Sequence, residues 1–335
     1  MNNFRLAFFI LLLLLLIGTI HFKKGLLFVL FQEGTGNFTT QVEGETYPKI
    51  LIDKTGIKFQ LQQPPTRIIS ATLASDHILS ELIDPQRLIA VSSYIDYPSL
   101  SNLVGFYSKQ ITRTEGEIES MLALQPDLVF IASYSNPETV RYLLRSHIPV
   151  VRISEFNSFT DIFNNIRLIS NVTDSKANGE AVINQLQQRL KLINKQLENK
   201  NRPRVLYYDL NGYSVGGHSL MDETIKLAGG INAAAQILPN GENKISAEQA
   251  ISLQPDVIIM NSWTFNENAN GQSPLYILRN KKAWQEVPAI KNNRLYTLPG
   301  KWLRSVSQHR INGVEALAKL LHPEINLNQE SHNVH

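Results

Sequence analysis

The chain of 335 residues contains no cysteine. That excludes disulfides, thiolate catalysis, Cys-ligated zinc and iron–sulfur clusters together. It also excludes the Cys-linked lipid anchor of exported bacterial proteins. Charge is scarce: Asp, Glu, Lys and Arg make up 18%, below the usual quarter, while apolar residues reach 43%. A disordered or coiled-coil chain is therefore not expected. Nor is there a real surplus of one sign. The formal charge of +3 comes from 32 Lys+Arg against 29 Asp+Glu, and Arg5, Lys23 and Lys24 stand in residues 1–31, which hold no acid. The remainder balances at 29 against 29, so the net charge calls for no nucleic-acid partner.

Long hydrophobic runs are missing except at the start. Residues 6–20, after Arg5, are an apolar stretch of 15 residues. A positive start and a short apolar core describe a secretory signal, whereas a membrane span usually needs about 20 apolar residues. No A-x-A cleavage site follows, and a second apolar patch runs over 26–31. Residues 1–31 are read as a cleaved signal or an uncleaved anchor, and in both cases the rest lies outside the cytoplasm.

Past residue 47, strand and helix signals alternate. A hairpin is expected around Lys54-Thr55-Gly56, then strands over 67–70, 88–92, 128–132 and 150–153, with helices over 74–82, 117–124, 137–146 and 159–169. Residues 174–200 differ. They contain no proline, and Val182, Leu186, Leu190, Ile193 and Leu197 recur at spacings of three or four, which predicts one long amphipathic helix. The alternation then resumes, with strands over 204–208, 257–260 and 295–297 and helices over 222–228, 247–253 and 311–321. Strands alternating with helices predict mostly parallel sheets covered on both faces.

The chain also repeats itself. Residues 119–131 and 248–260 share Glu, Leu, Gln, Pro and Asp at matching places, centred on Leu124-Gln125-Pro126-Asp127 and Leu253-Gln254-Pro255-Asp256. Proline stops the helix and a buried strand follows. One copy on each side of the long helix predicts two lobes of similar build: 47–173 and 203–322, joined by helix 174–200, with a polar tail over 323–335. The fold class is α/β.

These segments carry a resemblance. Pro64-Pro65-Thr66-Arg67-Ile68-Ile69-Ser70, Leu88-Ile89-Ala90-Val91-Ser92, Asp96-Tyr97-Pro98 and Glu119 with its Leu-Gln-Pro-Asp form the first half. Residues 225–232, Ser246 and Glu248 with the second Leu-Gln-Pro-Asp, Trp284 and Val287-Pro288-Ala289-Ile290 through Tyr296 form the second. In order and spacing the chain resembles the periplasmic substrate-binding proteins of ABC importers for iron chelates, haem and cobalamin, over about residues 47–322. It departs at the N-terminus, where many relatives show a clean cleavage site or a lipidation Cys.

The resemblance implies a ligand cleft between lobes joined by one rigid helix, with an iron–siderophore, haem or cobalamin as cargo and no resident cofactor. The implied partner is an ABC permease with its ATPase, and the protein itself is expected to be a monomer. The loops beyond the strand ends offer Tyr94, Tyr134, Trp263, Trp302 and Arg304: aromatic faces for a flat chelate and a cation for an anionic one. Each also has the reading of an ordinary loop residue resting on its own lobe. Glu119 and Glu248 are implied to pair with arginines of the permease. The competing reading is structural: Thr114…Glu117 and Ser246…Gln249 look like capping boxes, beside which an acid meets the helix dipole favourably. The long helix is expected to restrict closure.

Two other classes remain. Gly212-Tyr213-Ser214-Val215-Gly216 matches the serine-hydrolase elbow G-x-S-x-G, with His309 as base, but no helix signal begins behind Ser214. A free-metal binder would need clustered His and carboxylates, and the eight histidines show no tight ligand spacing. His77 is within reach of the cleft but is expected to be a surface residue. Tyr94 or His218 is the candidate axial ligand if the cargo is haem.

Overall fold

The computed structural model describes residues 39–53, 56–261 and 274–327. The expected signal or anchor, Trp263 and most of the polar tail lie outside these residues. Among the described residues, no helix is long and apolar enough to cross a membrane.

The first lobe holds a five-stranded parallel sheet. Its strands are β4 (Ile68–Ser70), β5 (Leu88–Ser92), β6 (Thr112–Thr114), β7 (Leu128–Ala132) and β8 (Val150–Ile153), in the order β6-β5-β4-β7-β8. β7 and β8 are buried at every position, which is why they read as unbroken apolar runs. A small antiparallel sheet, β1 (Gln41–Glu43), β2 (Lys49–Ile52) and β3 (Lys58–Leu61), precedes it. The expected hairpin is its β2–β3 pair.

The second lobe repeats the arrangement. β9 (Arg204–Tyr207), β11 (Ile231–Asn232), β13 (Val257–Asn261) and β14 (Leu295–Leu298) run parallel in the order β11-β9-β13-β14, the order β5-β4-β7-β8 of the first lobe. An antiparallel pair, β10 (Tyr213–Val215) with β12 (Glu242–Lys244), stands beside it.

The repeated sequence makes repeated bonds. Asp127 accepts the backbone N–H of Thr66 and Arg67 at 2.7 and 3.0 Å, and Asp256 accepts that of Arg204 at 2.8 Å. The Arg67 guanidinium donates to the carbonyls of Leu124 and Gln125, and that of Arg204 donates to the carbonyl of Leu253. Gln125 and Gln254 both take a left-handed conformation, φ 49 and 44. Each Leu-Gln-Pro-Asp is a lock closing the return from a helix onto the start of its sheet.

Between the lobes runs the long helix Lys176–Leu197, about 33 Å at 1.5 Å per residue. It begins two residues later than expected because Asp174 ends the preceding helix, Phe159–Thr173, in a left-handed cap. The two helices meet closely: a Cβ on Gly179 would lie 2.5 Å from the Ser170 hydroxyl. Asn178 bonds the carbonyl of Leu82 in the first lobe, and Arg189 pairs with Glu315 of the last helix, Arg310–Leu321. One apolar core runs through all three parts, from Ile78 and Leu79 through Ile183, Leu186 and Ile193 to Ile259 and Leu317.

Candidate functional site

In each lobe the chain adds strands to one side of the first strand, then crosses to the other. The switch points fall between β4 and β7 and between β9 and β13. Open α/β sheets bind ligands beyond the carboxyl ends of the strands at that place. At the first lobe's switch point, residues after β4, β5 and β7 meet residues after β14 of the second lobe in one cavity of about 240 Å³. Leu73, Ala74, His77, Leu100 and Tyr134 line it from the first lobe, and Arg304, Ser305 and Val306 from the second.

Local sequence explains the wall. Thr72 caps the helix Leu73–Leu82, its hydroxyl accepting from Ser75 N–H, so His77 turns toward the second lobe one helical turn on. Tyr134 follows the buried β7 and is 61% exposed. Its phenol is nevertheless pushed up to about 12, first by desolvation, against a lowering by the Thr72 hydroxyl. The ring is exposed on the cavity wall. Arg304 follows the short helix Gly300–Leu303 and lies 3.7 Å from Glu242. Behind it, burial lowers Arg310 to about 9. Arg310 is still a cation at neutral pH, donating to Thr224 Oγ1 at 2.7 Å. Asp76 is fully buried, and desolvation raises its carboxyl well above the ordinary range. The cavity lining from the first lobe holds no Asp, Glu, Lys or Arg, and that from the second holds the Arg304 cation.

Tyr134 and Arg304 are thus brought together from opposite lobes. Tyr94 and Trp302 do not line the same cavity. Tyr94 is 53% exposed beside Tyr97, ring centroids 6.0 Å apart, and Trp302 is half-buried with its carbonyl against Gly313. His218 is exposed in a left-handed turn. His77 corrects the expectation of a surface residue: it is 1% exposed and lines the cleft, because its helix packs against the second lobe. The signal available in the sequence was its place one turn beyond a strand end. Two wider grooves, about 680 and 500 Å³, run past Lys200 and Arg202. The larger lies between the long helix and the helix Leu220–Leu227, the smaller at the N-terminal ends of β9, β13 and β14, and Lys200 and Lys226 are already paired with Glu324 and Asp222.

Glu119 and Glu248 occupy the same place in each lobe, exposed in the first turn of helices Ile118–Ala123 and Ala247–Ser252. Helices between parallel strands run back against them, so both carboxylates stand at the cleft end of their lobes. The Ser246–Gln249 capping box is formed, and Glu248's own amide, then Ser246, hold its carboxyl below the usual range. The Thr114–Glu117 box is not formed. Glu117 is itself the N-cap, without a side-chain capping bond; its carboxylate accepts from Glu115 N–H, and Thr114 accepts from Gly116.

The hydrolase elbow fails on geometry. Ser214 is fully buried within β10, and its hydroxyl donates to the Tyr207 carbonyl at 2.7 Å. A nucleophile there has neither access nor a base. Among the described residues, no group of three His, Asp or Glu is placed to hold a metal ion.

The pattern of the periplasmic binding protein family matches residues 68–301. The chain belongs to that family. A vitamin B12-binding protein of Vibrio cholerae is 27% identical over 264 residues, covering 77% of this chain and 90% of that one. An uncharacterized ABC transporter substrate-binding lipoprotein of Bacillus subtilis, YvrC, is 20% identical, covering 84% and 87%. Among solved structures, the periplasmic heme-binding protein RhuT of Roseiflexus sp. RS-1, in apo form, superposes with a TM-score of 0.65 at 21% identity, covering 77% of this chain and 98% of that one. The fold is that of these two-lobed binding proteins.

Proposed function

We propose that this periplasmic binding protein is the substrate-binding component of an ABC importer, capturing a metal chelate between its lobes and delivering it to a membrane permease. The observation that carries the reading is the cavity between the carboxyl ends of the two sheets, where Tyr134 and Arg304 face one space from opposite lobes. At about 240 Å³ it is smaller than the roughly 300–1,000 Å³ of most ligand pockets.

An iron–siderophore is the first reading, since the second lobe's guanidinium suits an anionic chelate and Tyr134 supplies a flat apolar face. Haem or cobalamin is the second, favoured by what the similar proteins are named for. Capture makes and breaks no bond. Glu119 and Glu248, exposed at the cleft ends of the two lobes, are the proposed contacts to permease arginines. The protein works on the periplasmic side, released or held by its N-terminal segment.

The test is a visible spectrum of protein purified from its host, followed by tryptophan-fluorescence titration with a ferric siderophore, hemin and cyanocobalamin. Saturable binding of one is expected. Failure of all three to change the fluorescence overturns the reading.

A further inference from the structure

Two histidines meet where the lobes touch. The Nε2 atom of His77 lies 3.3 Å from the backbone nitrogen of Asn102. A backbone N–H only donates, so Nε2 accepts, and the ring proton of neutral His77 sits on Nδ1. Nδ1–H then donates to Ser307 Oγ of the second lobe at 3.1 Å. The bonds around it also cross between lobes: Gln308 Nε2 donates to the His77 carbonyl and to Glu81 Oε1, and Asn102 Nδ2 donates to the Lys301 carbonyl at 2.8 Å. The His309 ring stands edge-on to His77, centroids 4.8 Å apart. Its Nε2 is buried without a hydrogen-bond partner, as is Gln308 Oε1.

The charged and titratable groups around the pair do not favour a second proton. On the His77 helix, Asp76 is held toward its neutral form by burial and Glu81 is occupied by Gln308. Tyr107 donates to the Asp76 carbonyl, and Tyr134 lines the same cavity. From the second lobe comes the Arg304 cation. From the long helix comes Arg189, already bonded to Glu315 and Asn312. Among the described residues, neither histidine has a carboxylate within ion-pair distance.

We propose that His77 and His309 form a proton-sensitive latch: neutral, they hold the lobes together over the cleft, and protonation of either one opens them. A proton on His77 Nε2 would face the Asn102 N–H donor to donor, and a charge on either ring would stand unpaired at the interface. Burial, helped by the neighbouring His309, lowers His77 to about 3. Burial, with Arg189, lowers His309 to about 4. An opened, solvated histidine titrates near 6.5. The closed form is therefore favoured fully above pH 6.5 and loses ground as pH falls below it. At pH 5.5 the closed-to-open ratio falls roughly tenfold for each histidine that becomes solvated. Where the cleft holds a chelate, a consequence that rests on the proposed function, acid promotes its release.

The absence of cysteine makes the test clean. Glu138→Cys and Lys291→Cys place one spin label on each lobe at exposed positions. In the ligand-free full chain, pulsed electron resonance should show the interlobe distance lengthening reversibly between pH 7.5 and 5.0, with far-UV circular dichroism unchanged. In a His77→Gln/His309→Gln background the distance should not respond to pH. No change in the wild-type background, or the same change in the double variant, overturns the latch. Nitrogen-15 spectra of wild-type histidines provide a reading that needs no variant. His77 is expected as the neutral Nδ1–H form at pH 7.5, still neutral at pH 6. An Nε2–H form, or titration near 6.5, overturns it. No ligand enters these measurements, so their failure is distinct from failure of the binding function.

Discussion

In the first lobe Asp127 ties the start of β4 with two backbone bonds and the Thr66 hydroxyl, and in the second Asp256 ties the start of β9 with one. The strand orders match, and both glutamines of the turns are left-handed. At the other end of the same strands the lobes part company. The first presents Tyr134 and His77, while the second presents Arg304 with Arg310 behind it. The N-terminal ends of the sheets keep a common lock because they only close the fold. The C-terminal ends differ where the proposed ligand would meet them from two sides.

The largest effects should come from the shared core. Phe130→Ala in β7 and Ile259→Ala in β13 each remove a fully buried side chain, and each is expected to cost about 2–5 kcal/mol. Urea unfolding should remain a single transition in both, because one apolar core joins the lobes through the long helix. Two separated transitions would break the picture of lobes that stand or fall together. Gly179→Ala should cost about 1–3 kcal/mol by overpacking against Ser170, read as a lower urea midpoint.

The locks give a finer comparison. Removing Asp127 as Ala is expected to cost about 1–3 kcal/mol, and more than Asp256→Ala, since more donors are orphaned. The reverse order in chemical denaturation would mean that the two turns are not equivalent. In the cleft, Arg304→Gln should weaken an anionic chelate about 10–100-fold, the worth of one charged hydrogen bond, while Tyr134→Leu should weaken a neutral chelate as much as an anionic one. Equal affinity of wild type and Arg304→Gln for the anionic chelate would remove the charge contrast. Glu119→Gln and Glu248→Gln should have the smallest effect on stability, within about 0.5 kcal/mol for exposed sites. Uptake by cells should nevertheless fall with each. Unchanged uptake would leave these acids as helix-end residues only.

Much of this was legible because buried parallel strands are apolar on both faces. The segments 88–92, 128–132 and 150–153 were read to the residue. The pair β10–β12 was not, since Glu242–Lys244 is exposed and polar throughout and its partner is far away in sequence. Arg67 and Arg204 were also missed as partners of the repeat, because each lies well before the motif whose carbonyls it satisfies. Tyr134 and Arg304 could be proposed as cleft residues from their places after strands. The meeting of His77 with Ser307, 230 residues away, leaves no trace in spacing.

The sequence by itself determined the two-lobed α/β plan, the helix between the lobes and the matching Leu-Gln-Pro-Asp turns, because periodicity, proline and hydrophobic runs act locally along the chain. Only the tertiary structure decided that Ser214 is sealed in a strand, that Glu117 caps without a box and that His77 is buried at the lobe contact. Each of those depends on which distant backbone arrives to exclude water or to offer a donor, and a linear pattern does not encode that arrival.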